Sequence, residues 1–215
     1  MSIRYPDSCL IQFAKAPLKG QVKTRMKPTL DETGCVKLHK ALVEHQFSLH
    51  RQANVCDFEL WCSEEHSFFD RLVEESAVGE RASIHVQQGK DLGERMLNTF
   101  TERLRQYSYV ILIGSDCPFL SSDYVIEAIN RLKQGVPAVF GPATDGGYVL
   151  IGLSQLDSSL FEGVCWGTDQ VMKQTRARIK ALGWAWEELL TLSDIDRPKD
   201  LELLFCDEKL RIFLE

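Results

Sequence analysis

Carboxylates and cations whose types and spacing could do chemistry gather in a few short stretches of this 215-residue chain. Asp116 stands at the end of YVILIGSDCPFL, residues 109–120. The apolar run 109–113, closed by Gly114, reads as a strand buried on both faces of a parallel sheet. Ser115 and Asp116 then sit at its carboxyl end, where open α/β sheets bind ligands as strand order reverses. A carboxylate there either shapes the turn or ligates a metal. Residues 14–27, AKAPLKGQVKTRMK, carry Lys15, Lys19, Lys23, Arg25 and Lys27 without an acid, in a chain of net charge −6. Gly20 permits a tight turn there, and cations on a loop beside a helix start suit a di- or triphosphate. Lys19 and Lys27 read equally well as solvated surface.

Near the end of the sequence, SDIDRP (193–198) places Asp194 and Asp196 on the same side of an extended segment. They are either capping acids or partners of Asp116 around one Mg²⁺, a cation that prefers hard oxygen ligands together with substrate phosphates. In GPATDGGYVLIG (141–152), Gly146 and Gly147 allow a positive-φ turn and close approach to a ligand. Asp145 shapes that turn or acts as a general base, and Tyr148 stacks on an acceptor or fills the core. Thr168, in WGTD (166–169), is placed to cap a helix whose start is a further anion site. Two familiar phosphate motifs are missing. Gln21 and Val22 separate Gly20 from Lys23, unlike a Walker A loop, and no G-x-G-x-x-G follows the first strand.

Strands and helices alternate along the chain to position these residues. Apolar strands are expected at 9–14 (interrupted only by Gln12), 58–62, 83–87, 109–113, 137–141 and 148–153, with a short one at 184–189. A long helix opens at Thr29 or Asp31 and runs to about Ala53, with Leu38, Leu42, His45 and Leu49 on one face. A short helix carries Phe68, Phe69, Leu72 and Val73. Others are expected at 92–107 behind an Asp91/Glu94 capping box, at 123–134, and from the Thr168 cap to 182, with a last one beginning near Pro198. Strands separated by helices argue for an α/β sandwich on a mostly parallel sheet. With 44% hydrophobic residues, the 1–215 span reads as one domain with one sizeable core.

The acidic balance argues against general nucleic-acid binding, and no apolar run is long enough to span a bilayer. The amino terminus lacks a signal-peptide core, and seven cysteines without paired spacing suit a reducing cytoplasm.

Together FAKAPLKGQVKTRM, QGKDLGERM, IGSDCPFL, GPATDGGYVLIGL, WGTD and DIDRPKDL resemble the successive blocks of the DUF2064 transferases. That family lies in the glycosyltransferase-A, or nucleotide-diphospho-sugar transferase, superfamily. The resemblance implies a three-layer α/β/α sandwich with a Rossmann-like, mostly parallel mixed sheet. It implies a Mg²⁺ or Mn²⁺ cofactor, a nucleoside triphosphate or nucleotide sugar as donor, and a small-molecule acceptor. By the same resemblance Ala14, Lys15, Gly20, Lys23, Arg25 and Ser115 line the nucleotide, with Gly89, Leu92 and Arg95 near its base and ribose. Asp116 holds the metal with Asp194 or Asp196. Asp145, Gly147, Tyr148, Trp166 and Thr168 face the acceptor, and Lys23, Arg25, Asp116 and Asp145 carry the catalysis. One departure stands out. Glycosyltransferases of the superfamily commonly carry Asp-x-Asp where this chain has Asp116, Cys117 and Pro118. A lone Asp with a distant second acid is more similar to the nucleotidyltransferases that load molybdopterin or phospholactate. The rival reading from another class is a non-catalytic nucleotide-binding regulatory protein on the same fold. A homo-oligomer is compatible with either.

Overall fold

Strand β1 (Ser8–Ala14) is buried along its whole length and forms the axis of the molecule. Its alternating residues divide the core. Cys9, Ile11 and Phe13 face one helical layer, while Leu10 and Ala14 face the other. The computed structural model describes residues 3–27, 29–75, 83–206 and 210. Around β1 lie β2 (Asp57–Cys62), β3 (Ser83–Val86), β4 (Tyr109–Ile113), β5 (Ala138–Pro142), β6 (Tyr148–Leu153) and β7 (Trp186–Glu188).

These form one seven-stranded sheet in the order β3-β2-β1-β4-β6-β5-β7. β1 runs parallel to β2 and β4, β2 to β3, and β5 to β7; only β6 is antiparallel to its neighbours β4 and β5. From β1 the order proceeds one way through β2 and the other way through β4. The crevice at their carboxyl ends is therefore a topological switch point.

Helices α1 (Glu32–Ala53), α2 (Ser67–Glu75), α3 (Leu92–Arg103), α4 (Ser122–Lys133) and α5 (Val171–Ala181) cover the sheet. Met96 and Phe100 of α3 and Met172 and Ile179 of α5 pack on one face. Val125, Ala128, Ile129 and Leu132 of α4 pack on the other, extended by Val43 and Phe47 of α1. This is the expected three-layer α/β/α sandwich with a mostly parallel mixed sheet. Among the described residues no helix is long and apolar enough to cross a membrane.

Several boundaries differ from the sequence reading. Asp31 rather than Thr29 caps α1, its side chain accepting from Gly34 N. The buried face of α1 is broader than the predicted stripe, taking in Cys35, His39, Val43, Gln46, Phe47 and His50, while His45 and Leu49 are half-buried. The extra coverage arises because α1 packs on the sheet and also beneath Ile195, Leu201, Leu204 and Leu210. α3 stops at Arg103. α5 begins only at Val171 with Gln170 in the cap position, so Thr168 is a turn residue and not the helix cap. The final expected helix is a 3-10 segment, Pro198–Cys206.

Candidate functional site at the carboxyl ends of β1 and β4

The chain leaving β1 forms the cationic loop 15–27. Gly20 turns it with φ 76°, and Lys23 (φ 49°) heads a short 3-10 turn, Thr24–Met26. Met26 is fully buried beside Cys35, Leu38 and Leu42 of α1, which pins the loop. A left-handed Lys is costly, and such strain persists where surrounding contacts over-determine it. Those contacts are present. The Lys23 ammonium lies 2.8 Å from Asp116 Oδ1 and donates to the Ile195 carbonyl at 2.6 Å, with its side chain 3% exposed.

Asp116 follows β4. Its Oδ1 is sealed against Lys23, yet the side chain as a whole is 48% exposed, so the rest of the carboxylate faces the crevice. Burial alone would raise this carboxyl, but Lys23, with His39 and Lys15 farther off, holds it below the usual carboxylate range. The turn carrying it is braced from below. Ser115 Oγ donates to Phe13 O at 2.8 Å and accepts from Gln12 Nε2 at 2.9 Å. Gln46 of α1 donates to Cys117 O at 2.6 Å, and His45 Nε2 meets Pro118 O at 3.2 Å. His39 Nε2 lies 2.9 Å from Lys15 O and so ties the cationic loop to the same helix.

Residues 193–196 cross this site as an extended strap. Ile195 N donates to Asp116 O at 2.8 Å, and its carbonyl accepts from Lys23, so the backbone of this residue is held at both its N–H and its C=O. The Ile195 side chain is fully buried against α1. With Ile195 turned inward, alternation turns Asp194 and Asp196 toward the crevice. Asp196 Oδ2 accepts from Arg25 Nη1 at 2.7 Å, and Arg25 Nη2 reaches Gly167 O at 3.4 Å. Burial pushes the Asp194 carboxyl up to about 6, and the nearby carboxylates of Asp145, Asp116 and Asp196 push the same way. Arg25, Asp194 and Asp196, with Asp145, Thr168 and Lys199, line a cleft of about 430 Å³, and Asp116 is not among its lining residues.

Among the described residues no three His, Cys, Asp or Glu side chains converge as a metal cage. The donor set instead suits a divalent cation that takes one or two carboxylates from protein and the rest from water and phosphate, as Mg²⁺ does. Asp194, raised first by burial and then by the charge of Asp145, Asp116 and Asp196, sits where a nearby positive charge would favour its ionised form.

The remaining sequence-predicted residues are distributed around this centre. Lys15 is exposed at the loop's start, while Ala14 is buried in β1. Asp145 is exposed, and its Oδ1 accepts from Gly147 N at 2.8 Å, closing the turn between β5 and β6. Only Gly146 there has positive φ (92°), and a Cβ on it would lie 2.4 Å from Asp169 O. Tyr148 is half-buried between Phe140 and Trp166, its hydroxyl 3.8 Å from Met96 Sδ. Trp166 packs on the glycine face of α3; a Cβ on Gly93 would meet its Nε1 at 2.6 Å. Thr168 Oγ1 donates to Cys165 O at 2.7 Å. Gly89 (φ 145°) accepts at its carbonyl from Arg95 Nε at 3.2 Å, and Leu92 is 43% exposed at the start of α3. The bracing groups Gln12, His39, His45, Gln46 and Ile195 were not among the predicted site residues. The one signal for them was Gln12, the single polar break in the first apolar strand.

The family model described as "Uncharacterized protein conserved in bacteria (DUF2064)" matches residues 47–168. No curated protein matches the chain. Among solved structures, a Desulfovibrio desulfuricans G20 protein described as a "putative nucleotide-diphospho-sugar transferase" superposes with TM-score 0.82 at 25% identity, covering 97% of this chain and 94% of that one. The inositol-1-phosphate CTP transferase of T. maritima gives 0.59 at 16% identity, over 98% and 97%. Glucosyl-3-phosphoglycerate synthase of Mycobacterium tuberculosis, solved with Mg²⁺ and UDP, gives 0.56 at 12% identity, over 96% and 77%. At these lower identities the last two speak to fold alone. All three share the fold described above.

Proposed function

The chain belongs to the DUF2064 family, and from that premise we propose that it is a divalent-metal-dependent transferase acting on a nucleotide donor. It passes a nucleotidyl or glycosyl group to a small acceptor, with nucleotidyl transfer the favoured branch. The observation that carries this reading is that the 15–27 cationic loop pairs with acids from both segments, Lys23 with Asp116 and Arg25 with Asp196, while Asp194 lies within the field of both carboxylates. The nucleotidyl branch is favoured because β4 ends in a lone carboxylate, followed by Cys117 and Pro118 instead of a second Asp.

In this reading Asp116, with Asp194 or Asp196, holds the metal. Mg²⁺ or Mn²⁺, when bound, neutralises charge on the phosphate oxygens as the leaving group departs. Lys15 and Arg25 donate to those oxygens, each contact growing stronger as negative charge develops. Lys23 keeps Asp116 ionised and oriented. With its ammonium enclosed between Asp116 and the Ile195 carbonyl, Lys23 acts on the phosphates through its charge and through the carboxylate it orients. Residues 89–91 and the first turn of α3 receive the base and ribose. The acceptor enters beside Asp145, Gly147, Tyr148, Trp166 and Thr168, its oxygen attacking the α-phosphorus with pyrophosphate leaving. If the sugar is transferred instead, Asp145 serves as the general base and nucleoside diphosphate leaves.

The test is incubation with the four nucleoside triphosphates and common nucleotide sugars, with and without Mg²⁺, followed by mass spectrometry of the products. Metal-dependent consumption of a donor that disappears in Asp116→Ala, with an unchanged circular-dichroism spectrum, supports the proposal. Donor consumption by Asp116→Ala at the wild-type rate, or nucleotide binding without turnover across the donor set, overturns it.

A further inference from the structure

The two cations nearest the site acids differ sharply in freedom. Lys23 is almost completely enclosed and doubly bonded, whereas the Arg25 side chain is half exposed and crosses the open cleft. Arg25 joins the loop after β1 to Asp196 on the strap and to Gly167 on the 166–169 turn. Asp145 and Asp194 also lie within the field of its guanidinium.

We infer that Arg25 is a latch that neutralises Asp196 in the ligand-free protein and makes the anion and the cation of this site bind as a coupled pair. The inference rests on the transferase reading only for naming these ligands as a nucleotide's phosphates and a divalent cation. A half-exposed ion pair is worth roughly a two- to fivefold factor, weak enough to be exchanged. A phosphate offers the guanidinium fork a pair of oxygens, whereas Asp196 engages it through Oδ2 alone. An anion arriving alone draws Arg25 away and leaves Asp196 uncompensated beside Asp194. A cation arriving alone displaces Arg25 from Asp196 and leaves the guanidinium without its partner. Arriving together, each ligand supplies the charge that the other removes. Linkage makes the effect reciprocal: phosphate strengthens cation binding by the factor by which the cation strengthens phosphate binding.

The coupling is tested with single-ligand titrations that need no turnover: inorganic pyrophosphate by calorimetry in EDTA, and Mn²⁺ by electron paramagnetic resonance without any anion. Arg25→Gln is expected to bind Mn²⁺ alone two- to fivefold more tightly than wild type and pyrophosphate more weakly. Asp196→Asn is expected to show the reverse, with tighter pyrophosphate and weaker Mn²⁺. A salt bridge that merely supports the fold would raise neither affinity. Failure of both single-ligand affinities to rise, or absence of binding of both probes in every variant, overturns the latch. A silent product assay alongside the crossed binding pattern would instead count against the transferase reading and leave the latch standing.

Discussion

Replacing Asp194 with Asn should make the protein more stable while disabling it. The carboxyl titrates near 6 in the fold against an ordinary 3.8, a gap equivalent to about 3 kcal/mol at about 1.4 kcal/mol per tenfold change. Asp194 is only half-buried, and solvent screening reduces this to about 1 kcal/mol. Because the folded value is the higher one, the folded state binds the proton more tightly than the unfolded state. The penalty is therefore absent below about pH 4, grows between pH 4 and 6, and is complete above pH 6. Asn carries no such penalty. In metal-free buffer at pH 8, Asp194→Asn should melt about 2–4 °C higher than wild type, the shift expected for 1 kcal/mol in a chain of this size. The advantage should shrink as pH falls from 8 to 5, read by calorimetric scans of both proteins. Metal-dependent turnover should fall in the same variant. A variant that melts at or below wild type at pH 8, or a gap that does not change with pH, would refute the claim that a buried Asp194 carboxylate, crowded by its acidic neighbours, costs stability.

Asp116→Ala should abolish metal-dependent donor turnover while preserving the far-ultraviolet spectrum, checked by product mass spectrometry and circular dichroism. Lys23→Ala removes a buried cation held by Asp116 and the Ile195 carbonyl. It should lower stability by roughly 2–4 kcal/mol in urea unfolding and weaken nucleotide binding several-fold by calorimetry; unchanged affinity would count against the loop as a phosphate site. Gln46→Leu leaves the Cys117 carbonyl without its 2.6 Å donor and should cost about 1–3 kcal/mol in the same unfolding assay. Gly146→Ala places a Cβ against the Asp169 carbonyl at φ 92°, and a melting temperature equal to wild type would show that the 143–147 turn is freer than its packing implies.

Much of the architecture could be read along the chain because transfer of apolar surface out of water acts on each residue where it stands. The runs 9–14 and 109–113 are apolar without alternation, and they become the central parallel strands buried on both faces. From there, Asp116 and the 15–27 loop had to emerge at the same sheet edge, since parallel neighbours end on the same side. Alternation along the 193–196 strap likewise put Asp194 and Asp196 on one side with Ile195 opposed. Helix ends were less legible. A Thr at 168 has the right chemistry for a cap, but backbone bonds from Met172 to Gly146 and from Trp166 to Val164 hold the preceding turn in another course.

What the chain order could not disclose is which charge meets which. Arg25 and Asp196 lie 171 positions apart, and Lys23 and the Ile195 carbonyl 172. Local composition marks each as polar and does not choose its partner, because an ion pair depends on distances set by the whole packed sheet. Only after α1 has packed against Met26 of the 15–27 loop and Leu201 and Leu204 of the final segment does the pocket for Ile195 exist. That pocket draws the strap across the crevice, and its neighbours then decide that Lys23 is enclosed while Arg25 stays open to solvent.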